Sequence, residues 1–155
     1  TAALQKIAAA SAIFLSRADD SGTHTKERAL WAAAGIDVAT ASGTWYRETG
    51  SGMGTTLNTA TGMGGYTLSD RATWISFGNK GNQTVLVEGD KRLFNPYGVI
   101  LVNPARHPRV RAERGRAFIN WLVGPEGQRA IAGYQIDGEQ LFFPANQPPS
   151  RKPTP

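Results

Sequence analysis

The chain has 155 residues, 40% of them hydrophobic and 19% charged, with 17 basic against 12 acidic residues and a net charge of +5. That length and balance fit one globular domain of ordinary size with a core of its own. Cysteine is absent, which excludes disulfides and thiolate metal sites, and no apolar run approaches the roughly 18 residues of a membrane-spanning helix.

Residues 2–10 (AALQKIAAA) place Leu4, Ile7 and Ala8 at helical spacing, and the short apolar run 12–16 (AIFLS) reads as a buried strand. A loop, 19–23, leads into a helix over 25–34 with Leu30, Trp31 and Ala34 on one face, and Gly35 stands where a left-handed cap is expected. Residues 36–54 read as loop, 55–60 as a short helix behind glycines, and 65–68 as a strand. Ser69 or Asp70 then caps a helix that runs through Trp74 to about residue 77. The β-branched run 84–88 (TVLVE) and the apolar run 99–102 (VILV) read as two more strands. Phe118, Trp121 and Leu122 give the segment 110–122 an amphipathic helical pattern. Gly124-Pro125 breaks that helix and Pro125 restarts another. Residues 141–143 read as a last strand, and the Pro-rich, polar stretch 145–155 as disorder. Short apolar strands alternating with helices predict an α/β sheet covered on its faces by helices.

The positive charge favours an anionic partner. Much of it lies in 106–116 and at Arg151 and Lys152, without the interleaved aromatics a nucleic-acid surface wants. A nucleic-acid partner is therefore not expected. The stretch LSRADDSGTHTKERALW, residues 15–31, is more informative. A strand ends there and a helix begins, at the carboxyl edge where open α/β sheets bind ligands. A helix N-terminus offers unpaired N–H groups and partial positive charge. Ser21 and Thr23 add hydroxyls, Gly22 lets backbone approach a ligand, and Arg17 adds a fork of donors suited to a polyoxygenated anion. The plainer reading is that Asp19, Asp20 or Ser21 caps the helix and Arg17 pairs with an aspartate. Three further positions are open to two readings. The glycine cluster 50–54, containing Gly52 and Met53, offers amides to a ligand or is only a flexible loop. Asp70 holds Arg17 from behind or only caps its own helix. Ser21 with His24 and Asp20 lacks the G-x-S-x-G elbow of a hydrolase, so no enzyme is expected. The two histidines, His24 and His107, lack metal-ligand spacing.

The motifs SRADDSGTHTKE, WYRETGSGMGTTLNTA, YTLSDRATW, LVEGDKRLFNPYGVILVNPARHP, FINWLVGPEGQRAIAGY and LFFPAN follow one another in this order. From about Ala2 to Asn146 the run resembles the tungstate-binding proteins of bacterial ABC importers, of the periplasmic-binding-protein superfamily, type II fold. The resemblance implies two α/β lobes with an oxyanion between them, and no cofactor. Residues 1–146 would then form the anion-binding domain. Within it, 11–95 would be the second lobe. Residues 96–146 would be the hinge return and C-terminal helices of the first lobe, whose N-terminal part is missing. The Arg-x-x-x-Ser-Gly-Thr motif falls on Arg17, Ser21, Gly22 and Thr23, with Asp20, Gly52, Met53, Tyr66 and Asp70 near the cleft. Ala18 stands where the family usually has glycine. The implied ligand is tungstate or molybdate, with phosphate or sulfate as the alternative, and an anion-sensing regulatory module as the rival use of the same lobe. The implied partners are a membrane permease and the missing N-terminal lobe segment, or a separate chain that supplies it. The implied location is periplasmic or otherwise extracytoplasmic, with a lipid anchor as one means of attachment. The chain starts at Thr1 without a signal-peptide pattern, as a processed or truncated chain would, and 147–155 would be a disordered tail.

Overall fold

The computed structural model describes residues 1–144, so the expected disordered tail at 145–155 lies outside the described residues. The described chain divides into two compact units, residues 1–94 and 95 onward.

The first unit is built on a parallel three-stranded sheet of order β2-β1-β3, with β1 at Phe14–Ser16, β2 at Tyr46–Glu48 and β3 at Tyr66–Thr67. Phe14 stands opposite both Tyr46 and Tyr66, and Ser16 opposite Glu48. Helix α1 (Ala2–Ala9) precedes β1. Helices α2 (Gly22–Ala33), α3 (Met53–Met63) and α4 (Arg71–Ser76) follow β1, β2 and β3 respectively. Central β1 is buried at all three positions, as a strand covered on both faces must be. Phe14, Trp31, Val38, Ala41 and Tyr46 form the core, with Leu4, Ile7 and Ala8 of α1 packed against it. The aromatic rings set its geometry. Phe14 meets Trp31 edge-on at 5.0 Å between centroids and stacks on Tyr46 at 6.0 Å, the arrangements that ring quadrupoles prefer. Gly65 enters β3 so close to the Leu15 side chain and the Ile13 backbone that a Cβ has no room.

Helices were legible in the sequence to within a few residues, apart from α3, which runs well past the expected 55–60. Strands were less so. β2 lies inside the stretch expected as loop. The expected strands at 84–88, 99–102 and 141–143 are not formed. Val85, Leu86, Val87, Ile100 and Val102 are all exposed. A strand exists only against a neighbour that takes its N–H and C=O groups in a ladder. Among the described residues no strand pairs with 84–88 or 99–102, and 141–143 has only the Leu141 amide on Tyr134 O at 3.4 Å and Phe142 O accepting from the Gln140 side chain.

The second unit pairs α5 (Ala112–Val123) with α6 (Pro125–Gly133), followed by a two-residue hairpin of β4 (Gln135–Ile136) and β5 (Glu139–Gln140). Pro125 sits at the first turn of α6 and needs no amide partner there. Gly127 packs against the Trp121 and Leu122 backbone, where a Cβ does not fit. The apolar residues Phe118, Trp121 and Val123 of α5 remain exposed.

Candidate functional site

Parallel strands bring the loops after them to one edge of the sheet, so α2, α3 and α4 all begin at the carboxyl edge. Backbone bonds tie the first two of these corners together. The Thr49 amide donates to Ser16 O at 2.9 Å and the Ser51 amide to Arg17 O at 3.1 Å. Thr49 Oγ1 also donates to Ser16 O, and it bonds the buried Thr56 hydroxyl at 2.9 Å. The N-termini of α2 and α3 are thereby neighbours. Helix α3 begins behind its N-cap Gly52 with no side-chain cap, so its first amides have no intrahelical partner. Helix α2 is capped by Ser21, whose Oγ accepts from the His24 amide at 3.3 Å.

Of the residues singled out in the sequence, Arg17, Ser21, Gly22, Thr23 and Gly52 meet at this edge. The plain reading of the loop holds, with Ser21 capping α2 and Arg17 paired with an aspartate. Arg17 points its Nε and Nη2 at Asp19 Oδ2, at 3.1 and 2.5 Å. The Ser21 amide donates to Asp19 Oδ1 at 3.3 Å. The Ser21 hydroxyl, the Arg17 guanidinium and the Ser21 amide hold the Asp19 carboxyl down to a pKa of about 2. An ionised carboxylate thus rests on donors of the kind an oxyanion needs, and Asp19 is the aspartate with which the plainer reading paired Arg17.

The remaining candidates are placed differently. Asp70 caps α4, accepting from the Thr73 amide at 2.8 Å and from its hydroxyl at 2.7 Å. It does not hold Arg17, because Asp19, two residues away on the same loop, reaches the guanidinium first. Met53, the first residue of α3, adjoins Gly52 at this edge, with its side chain buried on the same helix face as Leu57 and Ala60. Tyr66 pairs with Phe14, at the amino end of β1, and so lies a strand's length from the corner. Asp20 turns its carboxylate to solvent, with Oδ1 3.7 Å from His24 Nδ1.

Behind the corner lies a buried polar group. Glu27, on α2, accepts from the Tyr46 hydroxyl at 2.7 Å. Burial pushes the Glu27 carboxyl up, more strongly than Tyr46, Ser16, His24 and Trp31 together pull it down. Burial also pushes the Tyr46 hydroxyl up. The folded chain therefore binds the Glu27 proton more readily than the unfolded chain does. Its contribution to stability is complete below the ordinary glutamate range and is lost as pH rises through the raised value. Glu27→Gln keeps the acceptor for Tyr46 and removes the titration. Urea midpoints across pH should show a flatter profile for this variant, and a gain over the parent above the ordinary glutamate range. Parallel profiles would place Glu27 in contact with water.

No metal-binding group of three or more acidic, His or Cys side chains occurs among the described residues, and no described helix is long and apolar enough to cross a membrane. The hollow lined by Arg28, Trp31, Gly35 and Asp37 is separate from the corner and includes none of its residues.

A PBP superfamily domain matches residues 1–126. A protein of Haloferax volcanii named as an ABC transporter anion-binding protein is 47% identical over 147 residues, covering 92% of this chain and 42% of the relative. The tungstate-binding protein TupA of Peptoclostridium acidaminophilum is 42% identical, covering 92% of this chain and 49% of the relative. The solved tungstate ABC transporter structure from Geobacter sulfurreducens superposes with a TM-score of 0.76 at 44% identity, covering 86% of this chain and 56% of that one. The chain spans about half the length of the curated relatives it matches.

Proposed function

The chain belongs to the PBP superfamily, and from that premise we propose that it carries one wall of a tungstate receptor. In this reading the protein captures tungstate or molybdate outside the cytoplasm and hands it to the membrane permease of an ABC importer. It is a binding protein rather than an enzyme and needs no cofactor. A lipid anchor is one way it would be kept at the membrane.

The observation that carries the reading is the joining of two helix N-termini at one sheet edge, through the Ser51 amide on Arg17 O. In this reading the two ends present amides to one anion, with Ser21, Thr23 and Arg17 beside them. Tungstate is a dianion without protons at neutral pH, so a site made of donors suits it. Each charge-assisted bond is worth about 1.5–3 kcal/mol. On binding, the anion replaces the Asp19 carboxylate on Arg17 and Ser21.

A single wall leaves the anion wet on one side. The exposed apolar runs at 84–87 and 99–102 support a partner for this one. The partner we propose is the N-terminal part of the first lobe, on the same chain or a separate one, which adds neighbouring strands to both runs. A second reading has one observation in its favour. A protonated phosphate needs an acceptor as well as donors, and ionised Asp19 stands at the corner to be one.

Calorimetric titration of the full-length protein with tungstate, molybdate, sulfate and phosphate separates the two. Tungstate or molybdate should bind at least about tenfold more tightly than the other two, a difference of about 1.4 kcal/mol. Phosphate binding tightest would establish the second reading, and equal, weak heats for all four would remove both.

A further inference from the structure

The loop before α2 is conformationally expensive. Ala18 and Asp20 both adopt left-handed backbone, at φ 47° and 56°, a region disfavoured for a residue with a Cβ. Such a conformation persists only where its surroundings impose it. Asp19 ties one side of this loop, as described above. The other side is tied by His24. The Asp20 amide donates to His24 Nδ1 at 3.1 Å, while the His24 amide donates to Ser21 Oγ. This is a capping box in which histidine takes the place of the usual glutamate three residues into the helix. It reaches back to the residue before the cap, because the Ser21 amide is already engaged by Asp19.

The side chain chosen for this task is unusual in its surroundings. His24 is buried, and its Nε2 has no hydrogen-bond partner among the described residues. Glu27 lies three residues on along the same helix and is also buried. To accept the Asp20 amide, Nδ1 needs a lone pair, so the ring carries its proton on Nε2, inside the protein. The groups that face the ring are thus Asp20 from the loop and Glu27 from its own helix, and no oxyanion donor is among them.

Resting on the anion-receptor reading, we propose that His24 is a positioning residue for the anion corner: its Nδ1 lone pair holds the Asp20 amide and with it the left-handed turn that aims the Ser21–Thr23 donors. His24 does not touch the anion. It sets where the donors stand, and misplacement of donors by a fraction of an ångström weakens every bond they make.

Two substitutions of His24 in the full-length protein, read by two methods, test this. H24L removes the acceptor. H24N keeps one, since an asparagine Oδ1 takes a place close to that of Nδ1. Amide hydrogen exchange at Asp20 should quicken about tenfold or more in H24L and return to within about threefold of the parent in H24N. Tungstate affinity should follow, falling about tenfold in H24L and recovering in H24N. Tungstate affinity within twofold of the parent in H24L, or equally weak in both variants, would overturn the proposal. Should H24L fail to fold, the parent's imidazole nitrogens decide it: a 15N spectrum at neutral pH with the proton on Nδ1 excludes the bond to Asp20. If the parent binds no tungstate while H24L still frees the Asp20 amide, the receptor reading fails and the role of His24 in the loop stands.

Discussion

Replacing Arg17 by alanine should weaken tungstate binding by about 2–3 kcal/mol, roughly 30- to 150-fold in Kd. Two effects add in the same direction. The guanidinium supplies charge-assisted bonds at a partly desolvated corner. It also neutralises Asp19, whose carboxylate lies on its Nε and Nη2. Without Arg17 that carboxylate stays ionised, since the Ser21 hydroxyl and amide still act on it, and it repels the incoming dianion. The double variant Arg17→Ala, Asp19→Asn should therefore recover part of the loss. The cycle of single and double variants measures how much of the effect is repulsion. Titration calorimetry at low and moderate salt reads all three. An Arg17→Ala protein that binds tungstate as the parent does would move the guanidinium out of contact with the anion. Arg17 would then be a surface partner of Asp19 only, and exposed pairs of that kind contribute little.

Trp31→Ala should cost about 3–5 kcal/mol of folding stability, the range for removing a large aromatic from a packed core. Trp31 is 1% exposed and is in contact with three rings. Phe14 meets it edge-on at 5.0 Å, Trp45 tilts against it at 5.6 Å, and Tyr46 stands edge-on at 6.3 Å. These rings join the C-terminal end of α2 to the amino ends of β1 and β2, so the cavity opens in the core of the first unit, at the end of the sheet away from the proposed anion corner. A domain of this size has only about 5–15 kcal/mol to lose. Trp31→Phe should cost far less, because a phenyl ring keeps most of the ring contacts. Urea unfolding followed by circular dichroism gives both numbers. A loss below about 1 kcal/mol for the alanine variant would show that the site collapses to fill the void, with Trp31 dispensable.

The polypeptide itself carried the local part of this structure. Helical spacing at Leu4, Ile7 and Ala8 and at Leu30, Trp31 and Ala34 marked α1 and α2, because an amphipathic pattern of that period has one low-energy conformation. Pro125 marked the start of α6, Gly124 the break before it, and Asp70 the cap of α4, because φ restriction and side-chain capping act within a few residues. The strand-loop-helix passage through Arg17, Ser21, Gly22 and Thr23 was legible for the same reason.

Contacts between distant residues were decided only by the fold. Tyr46 became part of a strand because Phe14, some thirty residues earlier, offered its backbone. The runs at 84–88 and 99–102 carry strand composition yet form none, because composition supplies apolar side chains and not a neighbour for the amides. The joining of α3 to the corner through Ser51 and Arg17 is likewise invisible in a linear reading. So is the burial of Glu27 under Tyr46. Sequence by itself determined which segments coil and where they stop, since those preferences are settled over one or two turns of chain. The tertiary structure alone decided which strands find partners and which helix ends meet at one sheet edge, since hydrogen bonds and burial between remote segments depend on the whole chain's closure.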